Sequence, residues 1–127
     1  MTGARRVLII DDDPSIREVA KMSLELVAGW DVTTAPSGAD GIQAARDERP
    51  DGILLDVMMP ELDGPATLAE LRQDGTVGAT PVIFLTAKVQ AAERTRFAQL
   101  DVAGLIAKPF DPMKLSEQIA ELFGWSP

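Results

Sequence analysis

Five short apolar runs are spaced along the chain: Val7-Leu8-Ile9-Ile10, Val32-Thr33-Thr34-Ala35, Gly52-Ile53-Leu54-Leu55, Pro81-Val82-Ile83-Phe84-Leu85 and Leu105-Ile106-Ala107. All but the second are continuous rather than alternating, which predicts strands buried on both faces of a parallel sheet. The segments between them carry apolar residues at helical spacing. Ile16, Val19, Ala20, Ser23, Leu26 and Val27 form one stripe, Ile42, Ala44 and Ala45 a second, and Leu68 with Leu71 a third. Ala91, Phe97 and Leu100 mark a weaker fourth segment, and Leu115, Ile119, Leu122 and Phe123 the last. Strand and helix thus alternate five times. The pattern predicts an α/β, doubly wound, five-stranded parallel sheet with five helices and right-handed crossovers.

The punctuation agrees with these boundaries. Asp13-Pro14 supplies a helix cap followed by proline at the first helical position, and Asp111-Pro112 repeats the device before the last helix. Each such cap is worth about 1 kcal/mol. Gly29 suits the end of the first helix. Phe123 and Trp125 are expected to pack on the core rather than stand free. With 127 residues and no repeat or linker, the expectation is a single domain over 1–127, its core spanning about 5–123, without an output domain.

Composition narrows the chemistry. Hydrophobic residues make up 46%, enough for a packed core. No apolar run approaches the roughly 18 residues a membrane span needs, and Met1–Val7 has no secretory pattern. A soluble, cytoplasmic protein is expected, without membrane contact. Cysteine and histidine are both absent, which excludes disulfides, thiolate or imidazole metal sites and Ser-His catalysis. The chain cannot itself be a phosphohistidine donor. A net charge of −8 argues against nucleic acid as a partner.

In open α/β sheets, ligands bind at the carboxyl ends of the strands, near the point where strand order reverses. The residues just past the predicted strands are Asp11-Asp12-Asp13, Asp56, Thr86-Ala87 and Lys108-Pro109. Carboxylates converging there repel one another unless a cation sits between them. Oxygen ligands without His or Cys point to Mg²⁺, or to Mn²⁺. Lys108 offers a fixed positive charge for an anion, and Thr86 and the Ala87 N–H offer donors. That set suits phosphoryl transfer with a carboxylate nucleophile. Each residue also has a plain explanation. Asp13 reads as a helix cap rather than a ligand, Asp11 and Asp12 as solvated loop acids, Lys108 as a surface lysine, Thr86 as a strand-end residue, and Met58 and Met59 as packing. Their joint occurrence at the ends of different strands favours a site.

With these residues in place, the sequence resembles the CheY-like receiver domains of two-component signalling. The resemblance rests on Val7-Leu8-Ile9-Ile10-Asp11-Asp12-Asp13, Leu54-Leu55-Asp56-Val57-Met58-Met59-Pro60, Asp63-Gly64, Thr86-Ala87 and Lys108-Pro109-Phe110, in that order. It implies a flavodoxin-like strand order, 2-1-3-4-5, and a role as phosphoacceptor response regulator in a two-component or phosphorelay pathway. Asp56 would accept the phosphoryl group from a sensor histidine kinase or a histidine phosphotransfer protein. Asp11, Asp12, Asp56 and the backbone carbonyl of Met58 would hold Mg²⁺. Lys108 would pair with the bound phosphoryl group, with Thr86 and Ala87 receiving its oxygens, and Lys108-Pro109 is expected to be cis. Pro60 and Asp63-Gly64 would shape the loop into the third helix. The surface of helix 4, strand 5 and helix 5 would then engage a downstream target or phosphatase. Catalysis would be limited to the chain's own phosphorylation and dephosphorylation, so no enzyme in the turnover sense is expected.

One residue departs from the pattern. Receivers commonly carry Tyr or Phe where Leu105 stands, and that ring moves inward as the threonine moves toward phosphate. Leu105 keeps apolar bulk without the ring, which leans toward a pseudoreceiver, a binding module that works without phosphorylation. Such modules usually lose the acidic pair, the acceptor or the lysine, all present here. Asp11-x-Asp13 also resembles the signature of haloacid-dehalogenase-type phosphohydrolases, but Ser15 stands where that family has Thr or Val, and there is no room for a cap domain. Met58 and Lys88, two residues beyond Asp56 and Thr86, are expected either to shield the path of the attacking water or to be ordinary loop residues.

Overall fold

The structure is a computed structural model that describes residues 4–87 and 90–126. Five parallel strands, β1 (Arg6–Ile10), β2 (Asp31–Ala35), β3 (Gly52–Asp56), β4 (Val82–Thr86) and β5 (Gly104–Ala107), lie in the order β2-β1-β3-β4-β5. The described helices between and after them are α1 (Pro14–Ser23), α2 (Gly38–Glu48), α3 (Gly64–Gln73), α4 (Ala91–Ala98) and α5 (Leu115–Phe123). The fold is thus the doubly wound arrangement expected from the alternation of apolar runs and helical stripes.

Successive side chains of a strand point to opposite faces, so each continuous apolar run feeds two cores. On one face Leu8, Ile10, Ile53, Leu55, Val82 and Phe84 pack with Ile42, Ala45, Leu68, Leu71 and Phe97 of α2, α3 and α4. On the other, Val7, Ile9, Leu54, Ile83, Leu85 and Ile106 pack with Ala20, Leu24, Leu115 and Ile119. Every residue of β3 and β4 is buried, whereas β2, at the sheet edge, buries only Val32 and Ala35.

Besides α4, which stops at Ala98 short of Leu100, two helix boundaries differ from the sequence pattern. Asp13 caps α1 as expected, its carboxylate accepting from the Ser15 N–H at 2.8 Å, and Gly29 ends the helical segment at φ 71°. Between them, however, Leu24–Ala28 form a π-helical turn. A π turn holds an extra residue and rotates the residues after it out of α register. Leu24, four residues after buried Ala20, is fully buried, whereas Leu26 is 78% and Val27 44% exposed, which corrects the predicted stripe through Leu26 and Val27. Val19, Met22 and Leu26 form an outward-facing apolar row instead. The second difference is at α5. Asp111 accepts from the Met113 N–H at 2.9 Å, but it caps a single turn, and the helix itself starts at Leu115.

The C-terminal aromatics pack as expected. Trp125 meets Trp30 edge-on at 5.3 Å and Phe123 at 4.9 Å, and the Arg5 guanidinium sits 4.6 Å from its ring centre.

Candidate functional site

Strand register brings the site together. Ile10 pairs with Leu55, so Asp11, one residue past β1, stands beside Asp56 at the end of β3. This is where strand order reverses, with β1 lying between β2 and β3. Asp56 pairs with Leu85 and Thr86 with Ala107, which puts Thr86 and Lys108 at the same rim. The Lys108 N–H donates to the Thr86 carbonyl at 2.7 Å. Lys108-Pro109 is cis, as the resemblance implies.

The Lys108 ammonium lies 2.7 Å from Asp11 Oδ2 and 3.2 Å from Asp56 Oδ1. Asp11, Asp12 and Asp56 each offer a carboxylate oxygen, all within 4.8 Å of one another. Asp11 is fully buried, Asp56 is 5% exposed and Asp12 faces solvent. Burial pushes the Asp56 carboxyl up to about 6, and the neighbouring Asp11 adds to this against the pull of Lys108. Burial pulls the Lys108 ammonium the other way, but its contacts with Asp11 and Asp56 outweigh that and raise it above its ordinary value.

The donor set fits a hard cation. Asp11 Oδ2 is buried and accepts no well-directed hydrogen bond, so an electron pair is left for a metal. Among the described residues, three carboxylates meet there and one ammonium, that of Lys108, pairs with them. The Met58 N–H folds back onto Asp56 Oδ1 at 3.3 Å, which places the Met58 backbone at the pocket. Asp13 does not join the cluster. Its side chain is used as the α1 cap, and its N–H donates to Asp11 Oδ1 at 2.9 Å.

Thr86 is buried at 4% exposure and borders a cavity of about 520 Å³ that also meets Met58, Met59, Arg96 and Phe97, with Ala87 on the same wall. Met58 is 76% exposed, and Lys88 lies outside the described residues. Leu105 is partly buried against the core that holds Phe84 and Phe97, whose rings meet edge-on at 5.8 Å. An aromatic ring therefore does stand near this wall, supplied by α4 rather than β5.

The β3–α3 loop is shaped as Asp63-Gly64 suggested. Asp63 accepts from the Ala66 N–H at 2.9 Å, and the Gly64 N–H donates to the Val57 carbonyl at 2.8 Å. A Cβ on Gly64 would fall 2.7 Å from Val57 Cα and 2.8 Å from the Asp56 carbonyl oxygen. Backbone cannot yield as a side chain does, so Gly64→Ala should destabilise the fold by about 1–3 kcal/mol, read by thermal or urea unfolding.

Sequence patterning did not single out Arg17, whose guanidinium donates to the Asp11 carbonyl at 2.7 Å. Its signal in the chain is only a basic residue one turn into the helix after the acidic run.

Residues 7–120 match the family described as the response regulator receiver domain. The chain is 42% identical over 106 residues to a Mycobacterium tuberculosis protein named "Probable transcriptional regulatory protein TcrX", covering 82% of this chain and 43% of that one. It is 34% identical over 115 residues to the alkaline phosphatase synthesis transcriptional regulatory protein PhoP of Bacillus subtilis, covering 91% and 47%. The chain thus spans about half the length of the curated relatives it matches. Among solved structures, the chemotaxis protein CheY4 of Vibrio cholerae is similar at a TM-score of 0.86 and 28% identity, covering 94% of this chain and 99% of that one. Fold, strand order and sequence agree over nearly the same residues, and the phosphohydrolase alternative falls away. The chain belongs to the response regulator receiver domains of two-component signalling.

Proposed function

We propose that Asp56 is the phosphoacceptor and that Asp11, Asp12, Asp56 and the Met58 carbonyl hold Mg²⁺ beside it. The observation that carries this is the meeting of three carboxylates and one ammonium at the ends of β1, β3 and β5. Bound Mg²⁺ would offset the repulsion among the carboxylates and the charge developing on the phosphoryl oxygens.

The remaining work falls to the chain. An Asp56 carboxylate oxygen attacks phosphorus of a phosphohistidine, the P–N bond breaks, and the donor's imidazole leaves as the aspartyl phosphate forms. Lys108 gives up its contact with Asp56 and pairs with the incoming group. The Thr86 hydroxyl and the Ala87 N–H donate to its oxygens. Drawing Thr86 toward the rim opens space on the cavity side, where Phe97 and α4 lie, and so alters the surface of α4, β5 and α5 that a target or phosphatase reads. Water attack on phosphorus returns the carboxylate and releases phosphate. Met58, exposed on the cavity wall beside Thr86 and Ala87, shields the path of that water and slows its attack. No other substrate is turned over.

The donor is a histidine kinase or a histidine phosphotransfer protein. Val19, Met22, Leu26 and Met113 line an apolar groove running from the β5–α5 loop down α1, a surface that a donor reaching Asp56 would cover.

Intact mass after incubation with acetyl phosphate and Mg²⁺ tests the reading. One phosphoryl group should be gained by the wild type, none by Asp56→Asn, and none when EDTA is added first. No gain in the wild type, together with no Mg²⁺ binding, would replace this function with a phosphorylation-independent binding module.

A further inference from the structure

We propose that Arg17 is a positioning residue for the cation site, gripping the Asp11–Asp12 peptide so that both carboxylates present the geometry Mg²⁺ requires. The role depends on the acidic rim being a Mg²⁺ site. Arg17 lies one turn into α1, and its own N–H bonds the Asp13 carbonyl at 3.1 Å, so the first helical turn sets its backbone. From there the half-buried guanidinium reaches back over the loop and donates to the Asp11 carbonyl at 2.7 Å.

Every other polar group of Asp11 is held by a different part of the fold. Its N–H donates to the Ala35 carbonyl at 3.1 Å, Oδ1 accepts from the Asp13 N–H at 2.9 Å, and Oδ2 faces Lys108 at 2.7 Å. The carbonyl depends on Arg17. That carbonyl belongs to the peptide plane that joins Asp11 to Asp12, and the plane's orientation sets the direction in which Asp12 leaves the chain. Asp12 is exposed and has no side-chain tether among the described residues, so its placement is set by that plane. Lys108 already holds Asp11 from the pocket side, and a cation entering there competes with it. Arg17 acts from behind and leaves the carboxylates free.

The guanidinium also carries a positive charge, which opposes a divalent cation nearby. Positioning and charge therefore act with opposite signs on Mg²⁺ affinity when Arg17 is removed. If charge were the whole effect, Arg17→Met would tighten Mg²⁺ binding. If Arg17 positions the ligands, Arg17→Met should weaken it several-fold, on the order of the 10-fold lower limit for groups that orient metal ligands. Arg17→Lys keeps the charge and a donor on a chain one atom shorter, and should stay within about 3-fold of wild type on the same grounds.

The experiment is calorimetric titration of Mg²⁺ into the full, unphosphorylated chain, for wild type, Arg17→Met, Arg17→Lys and Asp56→Asn. Thermal unfolding in EDTA runs alongside. The expected result is weakened binding for Met, near-complete rescue by Lys, and strong loss for Asp56→Asn. A merely structural Arg17 would lower the unfolding temperature of Arg17→Met in EDTA and leave its Mg²⁺ affinity unchanged. Unchanged or tighter binding in Arg17→Met, with wild type binding Mg²⁺, overturns the inference and leaves the Mg²⁺ reading standing. No binding by the wild type overturns the Mg²⁺ reading itself, and the role for Arg17 with it.

Discussion

Without metal, Asp56→Asn should be more stable than the wild type at neutral pH, although it removes the residue on which the function depends. Burial, with help from Asp11, raises the Asp56 carboxyl from 3.8 to about 6. Between those two values the folded protein binds more protons than the unfolded chain. Stability therefore falls as pH rises through that window, and the full deficit is present above it. A shift of this size corresponds to about 3 kcal/mol at most, at roughly 1.4 kcal/mol for each unit. The pull of Lys108 is already contained in that shift; screening by water at the rim reduces it further, and a gain of about 1–2 kcal/mol is expected for the amide. For a chain of this length that is a rise of several degrees in Tm. An amide oxygen still accepts from the Met58 N–H, so the local backbone is retained. Thermal unfolding in EDTA from about pH 4 to 8 checks the sign: the advantage of Asp56→Asn should be largest at the alkaline end and vanish near the acid end. Adding Mg²⁺ should reverse the ranking, because a ligand that binds only the folded wild type stabilises it by mass action. An Asp56→Asn protein less stable than wild type in EDTA at about pH 8 would show that the carboxylate is not frustrated in this pocket.

Lys108→Met should act with the opposite sign. The ammonium is the cation facing buried Asp11 and nearly buried Asp56, at 2.7 and 3.2 Å. Removing one partner of a buried pair leaves an uncompensated charge, at a cost of about 3–5 kcal/mol. Because the folded Lys108 pKa is raised, its stabilising contribution is complete below the unfolded value of 10.5 and is lost only as pH climbs through the folded one. The deficit of Lys108→Met should therefore be present across neutral pH. It should shrink in acid, where Asp56 takes up a proton instead of facing Asp11 as a second charge. Mg²⁺ should restore much of the stability and bind more tightly than to wild type, since no ammonium competes for Asp11 Oδ2. Phosphoryl uptake from acetyl phosphate should nevertheless slow markedly, because the incoming group has lost its pairing cation. Unfolding in EDTA and calorimetry of Mg²⁺ binding measure the first three effects, and timed intact mass the last. Tighter Mg²⁺ binding with unimpaired phosphoryl uptake would remove Lys108 from the reaction and leave it a structural counter-charge.

The opposite signs have one cause. Among the described residues, the rim gathers three carboxylates, and Lys108 holds part of the charge balance when no metal is bound. Such an arrangement lowers the stability of the metal-free protein and leaves the carboxylates ready for a cation.

Features that depend on neighbours in the chain were legible in the sequence. Continuous runs such as Ile53-Leu54-Leu55 and Val82-Ile83-Phe84-Leu85 marked strands buried on both faces, and Asp13-Pro14 marked the start of α1. Five alternations then left a doubly wound sheet as the economical packing, and the strand ends named Asp11, Asp56, Thr86 and Lys108 as one group. Whatever depends on contacts between distant segments was decided only by the tertiary structure. The π-helical turn at Leu24–Ala28 leaves Val27, seven residues after buried Ala20, 44% exposed, which a regular helical period does not anticipate. Asp111 caps one turn because its carboxylate meets the Met113 N–H, and regular α5 begins only at Leu115. Leu105 packs on the core in which Phe97 of α4 meets Phe84 edge-on, a placement set by packing rather than by sequence position. Arg17 became part of the site through a hydrogen bond that folds back across a loop. Periodicity and capping are local and can be read in the chain, whereas helix register, ring placement and charge balance are set where separate elements meet.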